Sequence, residues 1–281
     1  MNKAKTIIAL IGAGGKMGRR ISPNLKKSNY NFICCEKDER GFKILRDEGF
    51  KVMLTEQAVA IADIIICALP DAALPALSKK LVPLMKPSAT LITLDPAAVR
   101  AGKLHTREDC HFVVTHPCHP PLFGERETPE EKADLFGGIA AKQDIVIALM
   151  SGDEDAFGVA EQVCKDMFQP VVKCHRISVE QMAILEPAAA EVVAATCATV
   201  MKEAIDECVK RGVPEEAARS FMLGHIQIPL AIVLNSSNPF SDAAKIAIEY
   251  GRTHVLKEDW KKVFEPEAIE EVLAKMLHLE D

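Results

Sequence analysis

Residues 7–19 read IIALIGAGGKMGR and are the most informative stretch of this sequence. A short apolar strand runs into a turn with four glycines, and we expect a helix to open near Lys16. Glycines permit a tight strand-to-helix turn and let a pyrophosphate approach the backbone at the helix N-terminus. This context predicts dinucleotide binding, with a glycine-rich turn that holds no ligand as the alternative. The predicted cofactor-binding residues of this turn are Gly12, Ala13, Gly14, Gly15, Lys16, Met17 and Gly18.

The glycine spacing can be aligned in two ways. If Gly12 and Gly14 are the first two positions of a GxGxxG pattern, Gly18 comes one residue late. If Ala13, Gly15 and Gly18 are the three positions, the spacing is restored but the first position is alanine. Both alignments stay open at the level of sequence.

Short apolar segments continue along the first half of the chain and alternate with helix-like stretches. We expect strands at residues 6–11, 31–35, 63–69, 90–94, 112–115, 144–149 and 171–177, with a weaker one at 51–54. Near-continuous apolar strands that alternate with helices predict a parallel sheet covered on both faces. From Ser178 onward the pattern predicts only helices. We therefore expect an α/β protein with a Rossmann-type, doubly wound parallel sheet over residues 1–177 and an all-helical domain over residues 178–281.

Composition limits the kind of partner. The 281 residues are enough for two domains, the formal net charge is −6, and no block of basic residues is present. This argues against nucleic acid or an anionic membrane as the main partner. No run approaches the roughly 18 apolar residues of a membrane span. Nine cysteines form no CxxC pair, and Met1 leads almost directly into the first strand, so we expect reduced thiols and a cytoplasmic protein.

Glu36 follows the second predicted strand, 24 residues after Gly12. An acidic residue near this position binds the ribose hydroxyls of NAD and repels the 2′-phosphate of NADP, which favours NAD. Lys37 and Arg40 are the counter-argument, since either can reach a phosphate. Three further residues stand where the fourth predicted strand, 63–69, ends, and they are predicted to lie along the cofactor near the switch point of the sheet: Leu69, Pro70 and Asp71.

Three segments together carry a family resemblance: GAGGKMG at residues 12–18, the stretch from CALPDAAL to TLITLDPAA at 67–98, and THPCHPPLFG at 115–124. The first two resemble the cofactor domains of prephenate dehydrogenases and β-hydroxyacid dehydrogenases, in the 6-phosphogluconate-dehydrogenase-like superfamily. The second half lacks the lysine that β-hydroxyacid dehydrogenases place on their first interdomain helix. Over nearly the full chain, the combination is most similar to D-apionate oxidoisomerases. The resemblance implies an NAD-dependent enzyme that oxidises a branched sugar acid, D-apionate, and rearranges it to 3-oxo-isoapionate.

The segment His116-Pro-Cys-His119-Pro-Pro follows a predicted strand, at the edge where open α/β sheets bind ligands. The His116–Pro117 pair resembles the catalytic His-Pro of prephenate dehydrogenases. Oxidation of an alcohol requires a base for the hydroxyl proton, and imidazole suits this role near neutral pH. We therefore predict catalytic or substrate roles for His116 and His119, against the alternative of loop histidines bonded to backbone. Cys118 is disfavoured as a nucleophile because hydride transfer needs no covalent intermediate.

Two glutamates and one histidine of the second half complete the predicted catalytic set. Glu191 is the one charged residue in the apolar stretch 187–201, which we expect to be buried nearly all round. Glu186 precedes it by five residues, about 140° away on a straight α-helix, so the two do not share one face simply. His225 lies on an apolar helical stripe, where a satisfied core histidine is the competing interpretation. The apolar stretches 187–201 and 226–234 also predict a homodimer.

A divalent metal is possible but not favoured, because no contiguous ligand motif occurs; His116, His119 and Glu186 would be its first candidates. Two other functions remain open on sequence alone. One is a dehydrogenase of the prephenate or β-hydroxyacid type that performs no rearrangement. The other is a sensor that binds NAD without turnover.

Overall fold

The computed structural model describes residues 2–37 and 39–279, and its first half alternates strands with helices. Seven strands form one sheet. Their bounds are β1 Ile7–Ile11, β2 Asn31–Cys35, β3 Ile64–Cys67, β4 Thr90–Thr93, β5 His111–Pro117, β6 Gln143–Ser151 and β7 Val171–Arg176. Most of β1 to β4 is buried, as expected for strands covered on both faces.

The strand order is β2-β1-β3-β4-β5-β6-β7. Chain direction reverses once, because β6 pairs antiparallel with β5 while every other pair is parallel. The wholly parallel sheet expected from sequence is thus corrected at β6. The weak strand expected at residues 51–54 is reduced to a single bridge between Val52 and Cys34, beside β2. The predicted α/β class with a Rossmann-type sheet is confirmed, and its switch point lies between β1 and β3.

Helices cover the sheet through apolar side chains. Ile21 and Leu25 of the first helix are fully buried, as are Val163 and Met167 of the long helix that precedes β7. The helices of the first half are α1 Gly18–Lys27, α2 Glu39–Asp47, α3 Thr55–Ile61, α4 Leu74–Leu81, α5 Ala97–Arg100, α6 Pro129–Ala133 and α7 Glu154–Met167. Short 3₁₀ turns lie at Lys3–Lys5, Asp71–Ala73 and Val82–Leu84.

The second half is helical throughout its described residues, as predicted. Its helices are α8 Val179–Ala183, α9 Thr196–Lys210, α10 Glu215–Asn235, α11 Asp242–His254 and α12 Pro266–Met276, with a 3₁₀ turn at Trp260–Phe264. Between α8 and α9, Ile184–Ala195 has π-helical hydrogen bonding, so the chain is helical without a break from Val179 to Lys210. α9 and α10 pack against each other.

By its internal contacts the chain divides into two units. One comprises Met1–Glu186 together with the residues from Glu270 onward, and the other is Pro187–Ile269. The sheet ends at Arg176, close to the border predicted at residue 177, but the first unit continues through α8 to Glu186.

The long helices of the second half are more exposed than their composition predicts. Only 17% of the most apolar window of Val179–Lys210, and 6% of that of Glu215–Asn235, is buried. The expectation that residues 187–201 are buried nearly all round is therefore wrong for a single chain. Both helices are also long and apolar enough to span a membrane, so the expectation that no run approaches a membrane span is wrong. Two such helices are weak evidence for a membrane protein, since helices of globular proteins can have the same length and hydropathy.

Candidate active site

The glycine turn between β1 and α1 is held by close backbone contacts. Gly12 has φ +76°, and a Cβ there would lie 2.3 Å from the carbonyl oxygen of Ala68 and 2.9 Å from the Leu69 side chain. A Cβ on Gly18 would lie 2.2 Å from the oxygen of Gly12. Gly12 therefore makes the tight turn and Gly18 permits close helix–strand packing, which supports the alignment with one extra residue between them. α1 begins at Gly18 rather than near Lys16.

Glu36 lies against this turn. Its Oε2 accepts a hydrogen bond from the Gly14 N–H at 2.8 Å, and its Oε1 accepts one from the Lys37 N–H at 2.7 Å. A Cβ on Gly14 would lie 2.6 Å from the same Oε2, so glycine is needed for this contact. The predicted ribose-binding carboxylate and the predicted glycine turn are thus adjacent.

The carboxyl ends of β3 and β4 bring two aspartates close to each other. Burial, and secondly the negative charge of Asp95, raise the pKa of Asp71 to about 7. The Oδ1 of Asp71 is buried and accepts no hydrogen bond from the described residues. Asp95, which sequence reasoning missed as a site residue, accepts the Ala97 N–H at 2.8 Å through Oδ1. The sequence could have indicated Asp95, because it closely follows a predicted strand just as Asp71 does.

His116 and His119 come together at the end of β5. Their ring centroids are 6.1 Å apart with an interplanar angle of 89°. The Nδ1 of His116 lies 2.9 Å from the carbonyl oxygen of Leu94, and that of His119 lies 2.8 Å from the oxygen of Phe136. A carbonyl oxygen only accepts, so each Nδ1 carries a proton and each neutral ring is basic at Nε2.

The surroundings of the two histidines differ in charge. The Oδ2 of Asp95 lies 4.0 Å from the Nδ1 of His116, where it can stabilise a protonated ring. His119 has a left-handed backbone with φ +60°, which is uncommon for a residue with a side chain. Such backbone conformations cluster at functional sites. His116 is therefore the better base, and His119 a second imidazole that the loop holds beside it.

Phe136 connects the histidine loop with the glycine turn. Its ring lies 4.2 Å from the Nζ of Lys16 and 6.1 Å from the ring of His119. Arg20 of α1 donates to the carbonyl oxygen of Gly137 at 2.6 Å and pairs with Asp134 at 3.2 Å. These contacts place two cations at the start of α1, where a pyrophosphate is expected.

The other predicted residues are found in different surroundings. Glu186, at the end of the first unit, is 9% exposed. Glu191 and His225 belong to the second unit, and both are exposed there. The π-helical bonding links residues five apart, so the α-helical argument that separated Glu186 from Glu191 does not apply.

His225 is not a core histidine, and Cys118 is not an activated thiol. The ring of His225 stacks on Phe221 at 3.8 Å, and its Nδ1 bonds to the carbonyl oxygen of that residue. Burial raises the pKa of the Cys118 thiol to about 11, so it stays protonated at neutral pH. Among the described residues no three His, Cys, Asp or Glu side chains are grouped as a metal site.

Two protein-family models match this chain. Residues 2–167 match "Acetohydroxy acid isomeroreductase, NADPH-binding domain", and residues 124–277 match "Phosphogluconate dehydrogenase (decarboxylating) C-term". Each match covers more than half of the chain. Together they combine a dinucleotide-binding domain with the helical domain of a dehydrogenase.

Curated relatives and a solved structure extend over nearly the whole chain. The D-apionate oxidoisomerase of Pectobacterium atrosepticum is 46% identical, over 97% of this chain and 96% of its own length. That of Blautia hydrogenotrophica is 43% identical, over 98% and 97%. A crystal structure described as a semialdehyde dehydrogenase NAD-binding protein from Cupriavidus necator, in complex with calcium and NAD, is 45% identical with a TM-score of 0.93, over 97% of this chain and 99% of that one. The chain therefore belongs to the D-apionate oxidoisomerase family, and its first domain is an NAD(P)-binding domain of the dehydrogenase superfamily.

Proposed function

We propose that this protein oxidises D-apionate with NAD and rearranges the product to 3-oxo-isoapionate. The observation that carries the proposal is the position of His116. It lies near the end of β5, at the carboxyl edge of the sheet; its Nδ1 is bonded to the carbonyl oxygen of Leu94, and the Oδ2 of Asp95 lies 4.0 Å from the same nitrogen. The names of the relatives supply the substrate, and the paired imidazoles supply groups for its proton transfers.

The glycine turn fits a dinucleotide. Gly12 and Gly18 keep its backbone compact, Lys16 and Arg20 stand beside its helix end, and Glu36 faces Gly14. We assign the pyrophosphate to the turn and the ribose hydroxyls to Glu36, whose charge repels a 2′-phosphate and favours NAD over NADP. When bound, the nicotinamide ring accepts the hydride that leaves the substrate.

The oxidation step needs a base at the C2 hydroxyl. We assign it to Nε2 of His116, which takes the hydroxyl proton as the hydride leaves C2, giving the 2-oxo acid. The ring becomes an imidazolium, and the negative charge of Asp95 stabilises it across 4.0 Å. The fixed Nδ1–H keeps Nε2 as the atom that accepts the proton.

The rearrangement needs a base and an acid together. After His116 returns its first proton to solvent, it removes the proton of the tertiary hydroxyl at C3. One substituent of C3 then migrates with its bonding electrons to C2, C3 becomes the ketone, and the C2 oxygen takes up a proton. We assign that proton to His119 in its protonated form. Glu191 is the weaker choice, because it is exposed in the single chain and belongs to the second unit.

No step of this mechanism passes through a metal ion. The candidates His116, His119 and Glu186 do not form a group of three ligands in the described chain. The calcium ion is a property of the Cupriavidus necator structure. Titration of the metal-free protein with calcium, followed by turnover at saturating NAD, tests whether an ion is required.

The exposed apolar helices support a homodimer. Val233, Leu234 and Ile246 are between 66% and 73% exposed, and a monomer rarely leaves so large an apolar surface in water. We propose that a second copy covers these helices. Light scattering tests the dimer, since an active particle of 30.7 kDa would contradict it.

We also propose that the dimer is cytoplasmic. Cell fractionation tests this location, and recovery in the membrane fraction would contradict it.

The test of the function is NADH formation from D-apionate. We expect turnover with NAD and much slower turnover with NADP, and the His116→Asn protein is the control for contaminating activity. A dehydrogenase without rearrangement would also form NADH but would release the 2-oxo acid. No NADH above the control would reject the proposal.

A further inference from the structure

The substrate class sets a requirement that the residues described so far do not meet. In a 2-hydroxy acid the reacting carbon is bonded directly to the carboxylate carbon, so the carboxylate lies within a few ångströms of the base. The carboxylate of Asp95 lies 4.0 Å from the Nδ1 of His116 and would repel the carboxylate of the substrate. A buried carboxylate needs a cation or several N–H donors.

A cavity of about 570 Å³ opens beside His119 and offers such cations. Its polar lining includes Cys118, His119, Arg126, Lys142, Asp144 and Lys173. The strand register explains why these residues meet. Pro117 at the end of β5 pairs with Ile145 near the start of β6, and Ile145 pairs with Cys174 of β7. The cavity therefore lies at the same edge of the sheet as His116, within the first unit.

Three cations line this cavity, against the carboxylates of Glu125 and Asp144. Asp144 is already engaged, because its Oδ1 accepts the Lys173 N–H at 3.1 Å and its Oδ2 lies 2.8 Å from the Nε2 of His175. Glu125 is exposed to water, which screens its charge as it screens those of the exposed Lys142 and Lys173, so the half-buried guanidinium of Arg126 dominates. The Cys118 thiol is protonated and adds no negative charge. The cavity thus favours an anion.

Arg126 has an unsatisfied donor. Its Nη2 donates to the carbonyl oxygens of Pro120 at 3.2 Å and Pro121 at 3.1 Å, which fixes the guanidinium on the proline loop. Its Nε is buried and finds no acceptor among the described residues. A buried donor without an acceptor is unfavourable, and a ligand oxygen would supply the missing one.

We propose that this cavity binds the carboxylate of the sugar acid, with Arg126 as its main partner and with Lys142 and Lys173 adding positive charge. The inference rests on the proposed function for the class of substrate. It adds the group that determines specificity for an acid over a neutral sugar alcohol. It also gives the loop between β5 and β6 a role in binding, beside its role in holding His119.

The first experiment measures turnover of D-apionate by Arg126→Gln and Lys173→Gln. Lys132→Gln is the control, in α6 of the same β5–β6 connection as Arg126 but outside the cavity. We expect KM to rise about 10- to 100-fold for Arg126→Gln, since charge-assisted hydrogen bonds are lost, and less for Lys173→Gln. NAD affinity should stay unchanged in all three. A lower Tm with unchanged KM would show that Arg126 only holds the proline loop, which would overturn the proposal.

A second experiment keeps the cavity testable if Arg126→Gln does not fold, or if D-apionate is not the substrate. Calorimetry compares binding of a panel of sugar acids with binding of the matching alditols, in which CH₂OH replaces the carboxylate, to wild type and to the double variant Lys142→Gln/Lys173→Gln. Preference for an acid that is weaker in the double variant, which keeps Arg126, supports the site, even where NADH assays reject D-apionate. Equal binding of acid and alditol by wild type, or an unaltered preference in the double variant, refutes it.

Discussion

The Nδ1 atom of His116 lies 2.9 Å from the main-chain oxygen of Leu94, and this one contact determines which ring nitrogen is the base. Because Leu94 directly follows β4 and His116 lies near the end of β5, the contact depends on two neighbouring strands of the sheet. The base is thus oriented by secondary structure, while Asp95 next to Leu94 supplies the negative charge.

Replacement of His116 tests the base directly. His116→Asn should lower turnover about 10²- to 10⁴-fold, the usual contribution of a general base, while NAD affinity and Tm change little. Wild-type turnover should rise with pH as the imidazole loses its proton, because only the neutral ring accepts one. A destabilised but fully active variant would show that the histidine only supports the loop, and the role would pass to His119.

Asp95→Asn should lower kcat about 10- to 100-fold, because the imidazolium loses its counter-charge while the amide oxygen still accepts the Ala97 N–H. Asp153→Asn is a matched control. Like Asp95, Asp153 accepts a hydrogen bond from a main-chain N–H at the start of a helix, and its Oδ2 also lies 4.0 Å from a histidine nitrogen, that of His111 at the opposite end of β5. Equal loss of turnover in both variants would argue that Asp95 has only a structural role.

Glu36→Ala should weaken NAD binding by roughly 1–3 kcal/mol and reduce discrimination against NADP, because a charge-assisted ribose contact and a repulsive charge are both lost. Titration with each dinucleotide measures the change. Glu39→Ala, an exposed carboxylate at the start of α2, is the control. Unchanged preference in Glu36→Ala would remove this residue from the cofactor site.

Asp71 makes the folded protein sensitive to pH. Its pKa is about 7 in the folded state and 3.8 in the unfolded reference, so between these values the folded state binds more protons. The contribution of Asp71 to the free energy of unfolding therefore falls as pH rises from about 4 to 7. Above pH 7 the destabilisation by its buried negative charge is complete. Asp71→Asn should raise stability at pH 8 by about 1–3 kcal/mol, allowing for partial exposure, and by less at pH 5. An equal effect at both pH values would contradict the shift.

The glycine turn is tested by Gly18→Ala, with Gly158→Ala of α7 as a control for which the opposite change in stability is expected. Gly18→Ala places a methyl group against the backbone of Gly12 and Ala13 and should cost about 1–3 kcal/mol and reduce NAD affinity. Gly158→Ala lies within α7 with nothing within 4 Å, so it should stabilise the helix by up to about 1 kcal/mol. Thermal unfolding measures both, and a neutral Gly18→Ala would show that the turn tolerates a side chain.

Sequence predicts the sheet well because its strands are buried on both faces. β2 has the predicted bounds, and the six others differ from the prediction by a few residues at their ends. The strand predicted at 51–54 was wrong, because in that segment only Val52 forms a β-bridge. The reversal at β6 had no signal in the pattern of apolar residues, since parallel and antiparallel buried strands look alike.

The candidate catalytic residues were harder to predict than the sheet. The apolar stretch around Glu191 indicates burial, but the surface that would bury it is not provided by the same chain. The π-helical bonding near Pro187 changes which residues share a face, and no simple periodicity reveals it. Asp95 could have been predicted, because it follows the end of a strand as Asp71 does.

Identification of the product decides whether oxidation is followed by rearrangement. D-apionate is incubated with the protein and stoichiometric NAD, and the carbon skeleton is followed by NMR while NADH is measured by absorbance. One equivalent of NADH with a ketone at C3 and a new branch at C2, the structure of 3-oxo-isoapionate, is the predicted result. One equivalent of NADH with an unrearranged 2-oxo acid as the final product would contradict it.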